Sequence, residues 1–394
     1  MFFWNGRIEM FSSRVENLKA PPIYEIIELA KKYEDVVYLN IGEPGFDTPD
    51  VIKEAAIEAI RNGITKYTGS LGLLQLRERI AEYETGYLKR DIGAENVIVT
   101  NGGTVALTAS VLLFANPGDE VIVLDPWWPG HPRSVVVADA VPKPIEMRYS
   151  KGEYTLDLDA INEGITERTK GIMIINPNNP TGVVFSRREL KGLAEIVEDN
   201  KLFIVADEVY DQIVYGTEFV SYGEIASSLD NVLIVRSYSK NYAMTGWRVG
   251  YIVTSEKNIK ALQKLNSAIS LSQVSISQYA ALSIYDNWDV VKREVERMVE
   301  EYRKRRDIVV DALGKSGVFE FATPKGAFYI FPRFKLDMES IDFTKYLLDK
   351  ARILVAPGYL YFGYSGKRNI RISYSGPTEK IRVGMERLIK AFQE

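Results

Sequence analysis

Lys240 closes the segment Arg236-Ser237-Tyr238-Ser239-Lys240, directly after the apolar run NVLIV (231–235), and Arg248 lies eight residues beyond it. A lysine amine so placed can attack a carbonyl as a covalent nucleophile. A second apolar run, LFIVAD (202–207), ends in Asp207, with Tyr210 three residues on. A third, GIMII (171–175), leads into Asn176-Pro177-Asn178-Asn179-Pro180-Thr181-Gly182, a stiff, amide-rich loop. A fourth, EVIVL (120–124), precedes Asp125-Pro126-Trp127-Trp128-Pro129 and its two large flat rings. A fifth, NVIVT (96–100), gives way to Asn101-Gly102-Gly103-Thr104. Two glycines at a helix start let backbone N–H groups approach an anion such as phosphate. The five segments supply an anion seat, a stacking ring, a neutral amide, a carboxylate, a phenol and a lysine. That set suits a flat, phosphorylated pyridine aldehyde held as a Schiff base. The carboxylate would keep the ring nitrogen protonated, making the ring an electron sink.

These groups converge only if the five runs are neighbouring strands. Each run is short and continuously apolar, as strands buried on both faces are. Helical stretches, TVALTASVLLF (104–114) and SRRELKGLAEIVEDN (186–200), alternate with them, which predicts a mostly parallel sheet covered on both sides. Ligands of such sheets bind beyond the carboxyl ends of the strands, where all of these residues fall. Upstream, Thr48-Pro49 opens a helix that Gly63 closes. Downstream, 288–313 reads as one amphipathic helix of nearly 40 Å at about 1.5 Å per residue. The tail carries strand-like pieces at 326–331, 352–357 and 369–375, then a closing helix from Thr378. The expected organisation is a large domain over 46–290 and a smaller domain built from 1–45 and 291–394.

Composition removes several other chemistries. The 394 residues hold 49 Lys and Arg against 53 Asp and Glu, a formal charge of −4, with no basic block for nucleic acid. With no cysteine there is no disulfide, thiolate metal site or cysteine nucleophile. A single histidine, His131, leaves almost no material for a Ser-His-Asp triad or a histidine metal site, and no metal is expected. His131 follows Pro129-Gly130 and is read as a structural residue of a loop. The segment 237–240 fits S-x-x-K, but the K-T-G and S-D-N partners of that signature are absent. No stretch approaches the roughly 18 apolar residues of a membrane span. The start, MFFWNGRIEMF, lacks the basic region and cleavage site of a signal peptide. A cytoplasmic protein is expected, its aromatic N-terminus packed on a partner or on its own domain.

NPNNPTG, ADEVY, SYSKNYAMTGWRVGY and RNIRISYS, in this order and spacing, resemble the class I/II aminotransferases of fold type I. IGEPGFDTP (41–49), KYTGSLG (66–72) and PKGAFY (324–329) match as well, so the resemblance covers about 36–394. It implies an α/β fold: a large domain with a mostly parallel seven-stranded sheet sandwiched by helices, plus a smaller α+β domain. It implies pyridoxal 5′-phosphate as cofactor. Lys240 resembles the Schiff-base lysine, and Asp207 the partner of the pyridinium nitrogen. Tyr210 and Asn179 resemble the pair on the phenolic oxygen. Ser237, Arg248 and the amides of Gly103 and Thr104 would hold the phosphate, with Ser239 either joining them or capping the local turn. Trp128 would stack on the pyridine; Trp127 competes, but Pro129 follows Trp128 as in the family. Arg371, helped by Gly42 and Asn179, would take the substrate α-carboxylate. Tyr67 resembles the tyrosine that reaches the neighbour's phosphate in a homodimer.

The implied reaction moves an amino group from an L-amino acid, aspartate or aromatic, to a 2-oxo acid such as 2-oxoglutarate. In one aspartate-active subgroup a lysine follows the two glycines, where this chain has Thr104. Tyr24, Trp127 and Trp128 near the rim favour an aromatic or apolar substrate. Related proteins of this fold cleave C–S bonds, close a cyclopropane ring, or serve as non-catalytic effector-binding domains, and those alternatives stand beside the main reading.

Overall fold

The structure, a computed structural model, describes residues 11–18 and 23–393. The expectation for the aromatic N-terminus falls on residues outside these. Seven strands form the central sheet: β1 (Val97–Thr100), β2 (Glu120–Asp125), β3 (Val141–Glu146), β4 (Thr169–Ile175), β5 (Phe203–Asp207), β6 (Val232–Ser237) and β7 (Gly250–Val253). Their order across the sheet is β1-β7-β6-β5-β4-β2-β3. All run parallel except β7, which lies antiparallel between β1 and β6.

The five apolar runs became strands because their residues are covered on both faces. Side chains alternate between faces with period two. On one face, Ile98, Val123, Val205 and Val235 pack toward the buried helix Gly103–Phe114. On the other, Val99, Ile174, Ile204 and Ile234 join the larger core with helices Leu74–Leu88 and Arg187–Asp199. Two strands carried no such signal. The edge strand β3 holds Pro142 and Pro144 and is half exposed, the one setting in which a sheet tolerates proline. The fully buried β7 is only four residues long and follows directly on the turn at Arg248.

The C-terminal part is built from short pieces. Strand Ile370–Ser373 pairs antiparallel with Tyr329–Ile330 on one side and Ala356–Pro357 on the other. The run 352–357 is therefore split, because Ile353–Leu354 pairs with Val37–Tyr38 in a separate sheet. This pairing ties the segment near Val37 to the C-terminal part. Helix Trp288–Ser316 is one unbroken element of 29 residues that ends with Gly317 in the left-handed conformation. His131 corrects the loop expectation: it lies in helix Gly130–Val137, buried. Among the described residues, no helix is long and apolar enough to cross a membrane.

Candidate active site

The carboxyl ends of β1, β2, β4, β5 and β6 open onto one cavity of about 390 Å³. Of the thirteen residues given a cofactor or substrate role above, twelve line it; the exception is Tyr67, which is 84% exposed.

Lys240 sits in the single-turn helix Tyr238–Asn241, at the end of β6. Ser237 Oγ accepts the N–H of Ser239 at 3.2 Å, so the cap of this turn falls to Ser237. Ser237 Oγ also donates to Ser239 Oγ at 2.9 Å. Lys240 Nζ donates to the carbonyl of Gly42 at 2.7 Å. Burial pushes its ammonium down to about 8; Glu43 opposes the shift, while Arg371 and Arg248 add to it. The amine is thus largely neutral above that pH.

Gly102 and Gly103 lie where the chain turns from β1 into helix Gly103–Phe114, at the edge of the cavity. Gly103 starts its helix, and the first N–H groups of a helix lack internal partners. Gly102 has φ +86°, and a Cβ there would stand 2.5 Å from Arg248 Nη2. Only glycine meets both conditions. Arg248 itself donates through Nη1 to the carbonyl of Thr245 at 2.9 Å.

Asp207 ends β5 and is buried. His131 Nε2 lies 3.0 Å from its Oδ2. Trp128 lines the cavity and meets His131 edge-on, with ring centres 5.7 Å apart. Gly130 makes room for it, since a Cβ there would stand 1.8 Å from the Trp128 ring. Trp127 turns away into the core and packs edge-on against Tyr364.

A hydrogen-bonded chain crosses the cavity. Tyr329 and Tyr210 share a hydroxyl contact of 2.9 Å. Asn179 Nδ2 donates toward Tyr210 at 3.5 Å, and its Oδ1 accepts from Arg371 Nη1 at 3.1 Å. Burial holds the Tyr210 phenol well above its ordinary range, so it stays protonated and can donate. Arg371 is buried mid-strand, 4.4 Å over the Tyr329 ring and 4.6 Å over Phe362. Its other partner is the carbonyl of Asn40, at 2.6 Å. Both oxygens are neutral, and Nε has no partner. A buried guanidinium held only by neutral oxygens is suited to pairing with an anion.

The family described as aminotransferase class I and II matches residues 34–388. The chain belongs to this family. It is 39% identical over 389 residues to an aspartate aminotransferase of Pyrococcus horikoshii, covering 97% of each chain. It is 37% identical to a probable aspartate/prephenate aminotransferase of Aquifex aeolicus, over 97% of this chain and 98% of that one. The crystal structure of an aromatic aminotransferase from Pyrococcus horikoshii superposes with TM-score 0.88 at 33% identity, over 94% of this chain and 98% of the other. The aminotransferase is accordingly a pyridoxal-phosphate enzyme of fold type I. The residues fit that cofactor: a glycine-bearing helix start at Gly102–Thr104 beside Arg248, a buried carboxylate, a flat ring wall and a buried amine surround one cavity.

Two residues had no sequence signal: Tyr329, which lines the cavity, and His131, which stands behind the lining residues Asp207 and Trp128. His131 reaches Asp207 across 76 positions of chain. Tyr329 lies within the PKGAFY piece but reads there as an ordinary strand aromatic. It also explains Gly42, where a Cβ would stand 2.0 Å from the Tyr329 hydroxyl.

Proposed function

We propose that Lys240 is the residue that bonds covalently to the cofactor aldehyde and then carries the substrate proton. The observation behind this reading is a neutral-prone buried amine in the same cavity as a guanidinium without a carboxylate partner. When bound, pyridoxal phosphate supplies an electron sink that stabilises negative charge at the substrate Cα. Asp207, oriented by His131, holds the proton on the ring nitrogen. Tyr210 and Asn179 donate to the phenolic oxygen. Gly103, Thr104, Ser237, Ser239 and Arg248 bind the phosphate, and Trp128 covers one ring face. Arg371 binds the substrate α-carboxylate beside Gly42 and Asn179, which directs the Cα proton toward Lys240 Nζ. Lys240 would take that proton and return it to the cofactor's aldehyde carbon, on the other side of the amino nitrogen, as a general base and then a general acid. The cofactor residues fall within 46–290, and Arg371 within the smaller unit of 1–45 and 291–394. Tyr67, exposed on its loop, completes the phosphate site of a second copy in a homodimer.

The amine's depressed pKa has a measurable consequence. Only the neutral amine attacks an aldehyde, so uptake of pyridoxal phosphate by the apoprotein should quicken about tenfold per pH unit below about 8 and level off above it. An uptake rate that keeps rising through pH 9 would place the amine near its ordinary value and remove this support. The bound cofactor's absorption follows the reaction directly.

The donor is an aromatic or large apolar L-amino acid, and the acceptor a 2-oxo acid. Ile23, Tyr24, Ile27, Ile41 and Tyr361 form an apolar and aromatic wall at the mouth. Among the described lining residues the cations are Lys240, Arg248 and Arg371, each with a role already. A side-chain carboxylate would meet no further cation among the described lining residues. Titrating the holoenzyme with phenylalanine and with aspartate tests this. Phenylalanine should convert the cofactor to its amine form at a concentration about tenfold lower or more, given about 2 kcal/mol for burying the ring. Conversion at lower aspartate concentration would reverse the preference and point to a cation from a second subunit. Release of ammonia with the 2-oxo acid would assign a lyase.

A further inference from the structure

On the far side of the sheet from the anion seat lies a buried charge cluster that the reaction above does not use. Arg236 Nε lies 3.1 Å from Glu84 Oε1, Nη2 lies 3.2 Å from Glu208 Oε2, and Nη1 lies 2.8 Å from Asp211 Oδ2. All four side chains are at most 3% exposed. Tyr251 donates to Glu84 at 2.7 Å, and the Tyr87 ring covers the guanidinium at 4.6 Å. Glu208 also accepts from Ser221 Oγ at 2.8 Å and from the Tyr222 N–H at 2.8 Å. Asn241 Nδ2 donates to Asp211 at 2.7 Å.

The members have one thing in common along the chain. Glu208 follows Asp207, Asp211 follows Tyr210, Arg236 precedes Ser237, and Asn241 follows Lys240. Strand alternation accounts for the Ser237 and Arg236 pair, one side chain facing the cavity and its neighbour the opposite core. One rigid, planar guanidinium thus joins the loop after β5, the end of β6 and helix Leu74–Leu88. The fork of arginine imposes direction on each partner, which an apolar contact does not. Such a cluster is a poor way to obtain stability alone. It holds three carboxylates for one arginine, and burial pushes Glu84 up and Glu208 up to about 7. Well-packed apolar side chains would be as stable or more so.

We propose that the Arg236–Glu84–Glu208–Asp211 cluster, with Asn241, is the positioning scaffold of the cofactor site, fixing Tyr210 and Lys240 relative to Asp207 through their chain neighbours. The proposal rests on the roles given to those three residues above. Its test is the holoenzyme carrying Asp211→Asn or Asn241→Ala, compared with Val309→Ala in the apolar core of helix Trp288–Ser316. Three quantities are measured: thermal midpoint, dissociation constant of pyridoxal phosphate, and the pH midpoint of the bound cofactor's absorption change. Each cluster variant should move that pH midpoint by about 0.5 unit or more. Each should weaken cofactor binding and lower kcat by about tenfold or more, as small misplacements do. KM should change less, because Arg371 stands on a different sheet. Val309→Ala should lower the thermal midpoint and leave the spectral midpoint in place. Asn241→Ala removes no charge, so it keeps the test alive if Asp211→Asn fails to fold. Unchanged affinity and spectral midpoint in the cluster variants, beside a normal cofactor band in the unaltered protein, overturns this proposal alone. No cofactor band in the unaltered protein overturns both the proposal and the reading of Lys240.

Discussion

Replacing Lys240 with alanine should lower turnover by about 10⁴-fold or more, while the protein still binds pyridoxal phosphate. A positioned general base alone is worth about 10²–10⁴-fold, and Lys240 is also the proposed point of covalent attachment. The proposed phosphate cradle and Asp207 are untouched, so cofactor retention separates loss of chemistry from loss of folding. Steady-state turnover with a saturating donor decides it, and near-normal activity would end the assignment. Stability should move the other way. Lys240 has a folded-state pKa of about 8, against an ordinary 10.5. A lowered lysine pKa means that the fold disfavours the charged form. The penalty is fully present below about pH 8 and fades as pH rises toward 10.5. It is on the order of 3 kcal/mol at most. The apoprotein carrying Lys240→Met, which keeps the stem's volume, should therefore melt higher than the unaltered apoprotein at pH 7. The gap should close by about pH 10. Activity and stability traded at one residue is the pattern of a functional site.

Arg371→Gln should lower kcat/KM for amino acids by about 30- to 5,000-fold, mostly through KM. Truncating one partner of a buried, hydrogen-bonded charge pair typically costs about 2–5 kcal/mol. Arg371 meets that description once a carboxylate arrives: it is buried, stacked over Tyr329 and Phe362, and held by two neutral oxygens. Lysine should not substitute well, because a point charge lacks the planar fork that takes both carboxylate oxygens. An amine without a carboxylate provides the internal control. The variant should process it no worse than the unaltered enzyme does. Equal losses for both substrates would show general damage and would remove Arg371 from substrate binding.

The residues legible before folding are those whose role follows from their own chain neighbours. Lys240, Asp207, Asn179 and Gly103 each stand just past a continuously apolar run, and such a run becomes a buried strand through local pattern alone. Once the runs are strands of one parallel sheet, their carboxyl ends share an edge, and the candidate site follows. Gly102 was equally legible, since a turn into a helix that must admit an anion leaves no room for a side chain. The proline-bearing β3 was not, because it carries no local pattern strong enough to mark a strand.

Tertiary structure decided what depends on contacts between distant segments. Trp127 and Trp128 are chemically identical neighbours, and only packing against Tyr364 or His131 tells the core ring from the cavity ring. His131 reads as a loop residue until the helix at Gly130 carries it to Asp207. Arg371 is anchored to the carbonyl of Asn40, 331 positions away. In the buried cluster, Arg236 meets Glu84 across 152 positions. Periodicity specifies which face of an element is buried; it carries no information about which distant side chain will meet it there. Chain connectivity therefore determined the sheet and the rim that bears the lysine. The orientation of that rim's partners came only with the packing of segments the local pattern cannot relate.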